Sequence, residues 1–311
     1  MAALIQTASG ILRYRGGLGQ WAWAIHRAAG LGILSFLLLH IFDIFLVTFG
    51  PTIFDDLLFL YKGPIARLLE ILLLFGLLYH ALNGFRIILS DFVPVLASRK
   101  LARNFFYVQM LAFLVIFIPA AYFMMYTLPL EQFGQNALLS LIVALVVLAA
   151  PAMIVAFFSL LPTGASTKID ADASEGNYQD AISRIVASRK PRAMTRTELN
   201  IWLFMRVSGF LLIFLALFHF FLMHFFYGVE IMNFKFIVFR WMDPISGWFW
   251  RTYDLALLFF ALTHGVLGAR YSIEDYVHHR GLKFILLAGA ALTWLALTAM
   301  GAFVIFTFNA A

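Results

Sequence analysis

Seven apolar stretches, near 28–49, 65–90, 105–128, 137–161, 201–227, 249–272 and 281–308, constrain the fold of this chain more than any other feature. Each is long enough to cross a bilayer as a helix, which takes roughly 20 residues. Backbone groups in hydrocarbon must be satisfied internally, and the continuous apolar character of these runs argues against the alternating pattern of an outer-membrane barrel. The sequence therefore predicts an all-α integral membrane protein of seven transmembrane helices, with Pro119 and Pro151 as sites of kinking. Composition agrees: 63% of the 311 residues are hydrophobic and 12% are charged, so much of the surface is expected to face lipid.

The formal charge of +6 does not point to nucleic acid, because the basic residues lie between apolar runs rather than along one soluble face. They read as topology. With the N-terminus in the cytoplasm, the inside regions fall near 1–27, 86–104, 162–206 and 270–283 and hold 17 of the 22 Lys and Arg residues. That bias predicts a multi-pass protein of the cytoplasmic membrane, N-terminus inside and C-terminus outside. The first residues lack a compact apolar region followed by a cleavage site, which argues against a removable signal peptide. The absence of cysteine excludes disulfides, thiolate metal sites, cysteine-held iron–sulfur clusters and covalent haem attachment. Any redox centre must be held by nitrogen or oxygen ligands, or belong to a partner.

A membrane-embedded pattern is written twice. Arg27, Gly30 and His40 recur at the same spacing as Arg206, Gly209 and His219, and His80, Gly84, Arg86 and Asp91 recur as His264, Gly268, Arg270 and Asp275. The pattern predicts two parallel three-helix repeats, at 1–130 and 201–311. Residues 131–200 would join them through a linking transmembrane helix, which keeps the second repeat in the orientation of the first, and a polar cytoplasmic linker with a short surface helix around 178–188.

His80 and His264 each precede an acidic residue at the inside end of a span by eleven positions, about 16 Å along a helix. Equal depth suits two axial ligands of one metal. Haem iron accepts imidazole on both faces, and Gly84 and Gly268 would leave room for a porphyrin edge. A pair of interhelical hydrogen bonds is the competing reading. Arg27, Arg206, Arg86 and Arg270 can reach the inside interfacial layer as propionate partners or as snorkelling topology residues. His40 and His219 follow their arginines by 13 positions, about 20 Å, and admit a second haem. By that estimate the two pairs differ in depth by a few ångströms, so a second macrocycle would be displaced laterally or use His224; Asp43 equally suits a polar helix contact. At the inside end Tyr276 could donate to a quinone carbonyl, with Arg27 or His26 polarising the site, Asp275 beside them and Trp21 and Trp23 as an apolar wall. His278, His279 and Arg280 extend that cluster. Lys235, Arg240, Trp241 and Trp248 read as an interfacial belt on the opposite side.

Taken together, His26-Arg27-x-x-Gly30 with His80-x-x-Asn83-Gly84-x-Arg86-x4-Asp91, and Arg206-x-Ser208-Gly209 with His264-Gly265-x-x-Gly268-x-Arg270-x4-Asp275-Tyr276, resemble the cytochrome b membrane anchor of succinate:quinone oxidoreductase. The resemblance covers about 20–128 and 200–308 and looks like two small anchor subunits fused in one chain. It implies haem b held by His80 and His264, quinone-site positions at Arg27, Asp275 and Tyr276, and a propionate contact at Arg206. Trp23 stands where the family often has a serine, so the contact made there by a hydroxyl is missing. Partners implied are a flavoprotein and an iron–sulfur subunit, with electrons passing from the last cluster to quinone. The chain carries no dicarboxylate site or flavin motif and is not expected to oxidise succinate alone. Two alternatives stay open: the anchor of a quinol:fumarate reductase, and a haem-free structural anchor. A higher oligomer of the complex is also left open.

Overall fold

A computed structural model of the chain describes residues 17–59, 62–127 and 194–309. These form eight α-helices: α1 (Leu18–Phe45), α2 (Pro51–Phe59), α3 (Pro64–Phe92), α4 (Arg99–Tyr126), α5 (Arg196–Phe221), α6 (Phe234–Met242), α7 (Gly247–Tyr276) and α8 (Arg280–Thr307). Six of them, α1, α3, α4, α5, α7 and α8, are long and apolar enough to cross a membrane.

The expected seven-helix arrangement of two three-helix repeats is corrected by this finding. Among the described residues there are six candidate spans; the expected crossing at 137–161, Pro151 and the expected surface helix around 178–188 lie outside them. Helix α5 begins at Arg196, inside the stretch that the sequence assigns to a linker. The third helices of the two halves also pack differently. Helix α8 lies against both α7 and α1, whereas α4 packs chiefly on α3 and meets the turn that follows α5 through Phe123 and Phe225, 5.5 Å apart. Hydropathy reports the length and apolarity of a run but not its neighbours, so the repeat that survives in packing is a helix pair.

Local chemistry sets the helix ends. Thr195 and Glu198 form a reciprocal capping box at α5: the Thr195 N–H donates to Glu198 (2.7 Å) and the Glu198 N–H to the Thr195 hydroxyl (3.2 Å). Gly50, at φ +96°, makes a turn that L side chains rarely adopt, and Pro51 then opens α2. The His279 ring accepts from the Leu282 N–H (3.2 Å) and caps α8, a structural role for a residue expected in the quinone cluster. Pro119 lies within α4, and that helix runs on to Tyr126.

Helices α1, α3, α5 and α7 form a ring, each packed on the next, with α1 diagonal to α5 and α3 diagonal to α7. One apolar core lies between α1, α7 and α8 around Leu34, Ile41, Leu262 and Val304. The other lies between α3, α4 and α5 around Leu74, Leu78, Phe113 and Met124. Outward-facing Phe214, Phe284 and Ile285 are exposed, as lipid-facing positions should be. At the end opposite Arg27, α2 and α6 lie across the bundle. The Phe234 N–H donates to Asp55 (2.7 Å), and Arg251 donates to the carbonyls of Trp241, Ile305 and Phe308. Arg240 and Trp241, expected in an exposed belt, are instead buried and both donate to Asp254 (2.7 and 2.8 Å); Trp248 is exposed, as expected. In the turn before α7, bonds from the Ser246 backbone and hydroxyl hold the Asp243 carboxyl below its ordinary pKa.

Candidate functional site

The diagonal helices α3 and α7 bring His80 and His264 together in the centre of the ring. Their ring centroids are 6.2 Å apart with planes at 86°. Two imidazoles that ligate one metal ion from opposite sides, each nitrogen about 2 Å from the ion, have centroids about 6 Å apart. The Nδ1 atoms of both rings are engaged elsewhere. His80 Nδ1 lies 3.0 Å from the His26 carbonyl oxygen, which can only accept, so this nitrogen carries the proton and Nε2 keeps its lone pair. His264 Nδ1 lies 2.9 Å from the Ser208 hydroxyl. Outer-shell bonds of this kind orient imidazole ligands and fix their tautomer.

Two glycines make room for these rings. A Cβ on Gly30 would stand 2.8 Å from His80 Cε1, and one on Gly209 would stand 3.3 Å from His264 Cε1. The sequence assigns the clearance to Gly84 and Gly268. Gly84 instead faces His26 at 3.5 Å, and among the described residues a Cβ on Gly268 would meet nothing within 4 Å.

His40 and His219, on the other diagonal, repeat the arrangement with centroids 6.2 Å apart and planes at 70°. Because His80 sits beside Gly30 and His264 beside Gly209, the second pair lies ten residues further along α1 and α5, about 15 Å. The few-ångström difference expected from sequence is therefore corrected. It took each arginine as level with the end of its span, whereas the long Arg27 and Arg206 side chains reach carboxylates on the ends of neighbouring helices. The second pair is less supported, for His219 Nδ1 is buried without a hydrogen-bond partner among the described residues. His224 lies in a widened, π-helical turn over Leu222–Tyr227, 3.5 Å from Glu70 and stacked on Phe220 (4.2 Å), and Arg67 pairs with the same carboxylate (3.0 Å). Among the described residues no group of three or more His, Asp or Glu side chains gathers as a bare-ion site. A metal at either pair would need further ligands of its own, which is the chemistry of haem iron.

At the Arg27 end the two halves are clasped by reciprocal ion pairs. Arg27 on α1 meets Asp275 on α7 (2.6 Å), and Arg206 on α5 meets Asp91 on α3 (2.8 Å). Each guanidinium also lies over a tryptophan four residues earlier, Trp23 at 4.2 Å and Trp202 at 4.5 Å. The halves differ in the next residue: exposed Tyr276 follows Asp275, whereas Phe92 follows Asp91 and packs on Trp202. His26 stacks on His80 (3.9 Å, 8°), and among the described residues its Nδ1 is buried without a hydrogen-bond partner, as is Arg27 Nη1. Arg86 donates to the side-chain Oδ1 of Asn83, and Arg270 to Glu274 (2.8 Å). An open groove of ≈ 560 Å³ at this end is lined by Trp202, Arg206, Arg270, Tyr271, Glu198 and Glu274 among others, on the Arg206 side rather than beside Tyr276. The sequence offered no role for Ser208, Asn83 or Trp202. The offset that relates Arg27 to Arg206 could have found Trp202, since it maps Trp23 onto it.

A ring of four apolar helices, with histidines paired across both diagonals and ion pairs closing one end, defines a class of membrane helix bundle whose paired imidazoles could hold a cofactor. The comparisons make that class specific. The model of the succinate dehydrogenase/fumarate reductase transmembrane subunit matches residues 5–121 and 182–305, and the chain belongs to that family. It is also 36% identical over 107 residues to the succinate dehydrogenase 2 membrane subunit SdhC of Mycobacterium tuberculosis (strain ATCC 25618 / H37Rv), covering 34% of this chain and 77% of that subunit. Two matched blocks in one chain are consistent with a fused anchor. The chain is thus a membrane anchor of the succinate/fumarate quinone reductase type.

Proposed function

We propose that this chain is a haem b-containing anchor that binds quinone and passes to it electrons from an iron–sulfur subunit, within a complex completed by a flavoprotein. The observation that carries the proposal is the His80–His264 pair, with its 6.2 Å centroid separation and both Nδ1 atoms engaged. When bound, haem b supplies a one-electron store close to the quinone. The chain's own residues do the rest: His80 and His264 hold the iron from opposite helices, and Arg27, Arg206, Arg86 and Arg270 are the candidates to neutralise its propionates. Arg27, Tyr276 and Asp275 orient the quinone at the membrane boundary, with Trp23 and His26 as its wall. Tyr276 distinguishes this side from the Phe92 side, since only a phenol can donate to a quinone carbonyl. We place this end in the cytoplasm, N-terminus inside, on the distribution of Lys and Arg.

Succinate oxidation with quinone reduction is the proposed direction, and the histidine geometry serves fumarate reduction equally. One haem is proposed at His80 and His264; His40 and His219, at the same 6.2 Å spacing, are the residues that would hold a second. The test is a reduced-minus-oxidised absorption spectrum of the purified complex with haem quantified per complex. A b-type band with one or two haems is expected, and its absence would leave the haem-free structural anchor.

A further inference from the structure

Helices α3 and α4 meet along an aromatic seam with a regular antiparallel register. Phe75 contacts Phe117 (5.6 Å), Tyr79 contacts Phe113 (5.9 Å), and the Arg86 guanidinium lies over Phe106 (5.7 Å). Stepping between these pairs puts Asn83 on α3 opposite Gln109 on α4. Both are buried, at 0% and 4% exposure. The Asn83 oxygen is taken by Arg86, accepting from Nε (3.2 Å) and Nη2 (2.9 Å). The other three amide atoms of this rung, Asn83 Nδ2 and Gln109 Nε2 and Oε1, are buried without a direct hydrogen-bond partner among the described residues.

Unsatisfied carboxamides within a membrane bundle are costly, and a shared water with two to four polar partners is the ordinary way to satisfy them. Here such a water also has a directional effect. A carboxamide turned over would oppose its own N–H groups to those of the guanidinium, so Arg86 stays in place only while Asn83 keeps its oxygen toward it. An acceptor at Gln109 Oε1, reached through one water, draws Asn83 Nδ2 the other way and selects that orientation. We propose that Gln109 is a positioning residue which acts through Asn83 to hold the Arg86 guanidinium, six residues from His80 on the same helix, at the edge of the haem site. This rests on the haem reading above.

The test uses the complete complex in detergent and an equilibrium redox titration of its haem. Gln109→Met keeps the shape and removes both hydrogen-bonding atoms. It should retain haem and lower its reduction equilibrium constant by up to tenfold, ~59 mV for one electron, as the cation loosens. Gln109→Asn, which keeps the carboxamide and adds no charge, should hold the potential closer to wild type than Gln109→Met does. The double variant Gln109→Met with Arg86→Met should shift no further than Arg86→Met alone. An unshifted potential in Gln109→Met, or shifts that add, would overturn the proposal. A second measurement decides the rung without reference to haem: thermal unfolding of Asn83→Leu, Gln109→Met and their combination should be non-additive, and additivity would reject the coupling. A wild-type complex with no b-type band would remove the haem reading while this unfolding cycle still decided the rung.

Discussion

At Gly30 the missing side chain is the space that His80 occupies. A methyl group there would stand 2.8 Å from the imidazole, whose Nδ1 is already tied to the His26 carbonyl, so the ring has little freedom to retreat. Gly30→Ala should therefore deplete haem in the purified complex, Gly209→Ala, at 3.3 Å, should do so less, and Gly268→Ala should leave haem content unchanged. Equal haem content in all three variants would separate these glycines from the site. Arg27 makes the other residue-level case. Its guanidinium is braced by Trp23 and Asp275 at the expected quinone position. Arg27→Ala should lower quinone reduction by roughly ten- to a hundredfold, the worth of one charge-assisted bond. Succinate oxidation by the same complex with a water-soluble artificial acceptor should stay near wild type, and an equal fall in both assays would instead mean lost assembly.

At the level of elements, the repeat is legible in the sequence because polar residues are rare in these runs and their spacing is undisguised by other polar positions. Arg27 and Arg206, Asp91 and Asp275, and the four paired histidines could all be found that way, and the structure brings them into reciprocal contacts. The depth relation between the histidine pairs was hidden, since it depends on how far an arginine side chain reaches along its helix. The burial of Arg240 and Trp241 was hidden too, because a short helix rich in aromatic and basic residues has the composition of an interfacial belt. Only tertiary contact with Asp254 shows that α6 folds inward. That contact yields a prediction for the element. Removing one partner of a buried ion pair costs about 3–5 kcal/mol, so Asp254→Ala should lower the thermal midpoint of the complex markedly. His264 lies ten residues beyond Asp254 on α7, about 15 Å along the helix, so the spectrum of haem held there should be unchanged before unfolding. An unaltered midpoint would show that α6 contributes little to the fold.

For the molecule as a whole, the four-helix ring explains why the motifs come twice. Each half supplies one helix of each diagonal, so neither half alone can close a histidine pair, and the ion pairs Arg27–Asp275 and Arg206–Asp91 both cross between halves. Carrying both halves in one chain keeps them at equal stoichiometry, which the proposed shared site would demand. The sharpest consequence concerns His80 and His264, one from each half. The decisive measurement is low-temperature electron paramagnetic resonance of the oxidised complex, compared between wild type, His80→Ala and His264→Ala, with assembly of all subunits verified. Both variants should lose the same low-spin ferric signal, and any signal from His40 and His219 should persist. Retention of the full wild-type signal in either variant would contradict the assignment of these two histidines as one axial pair.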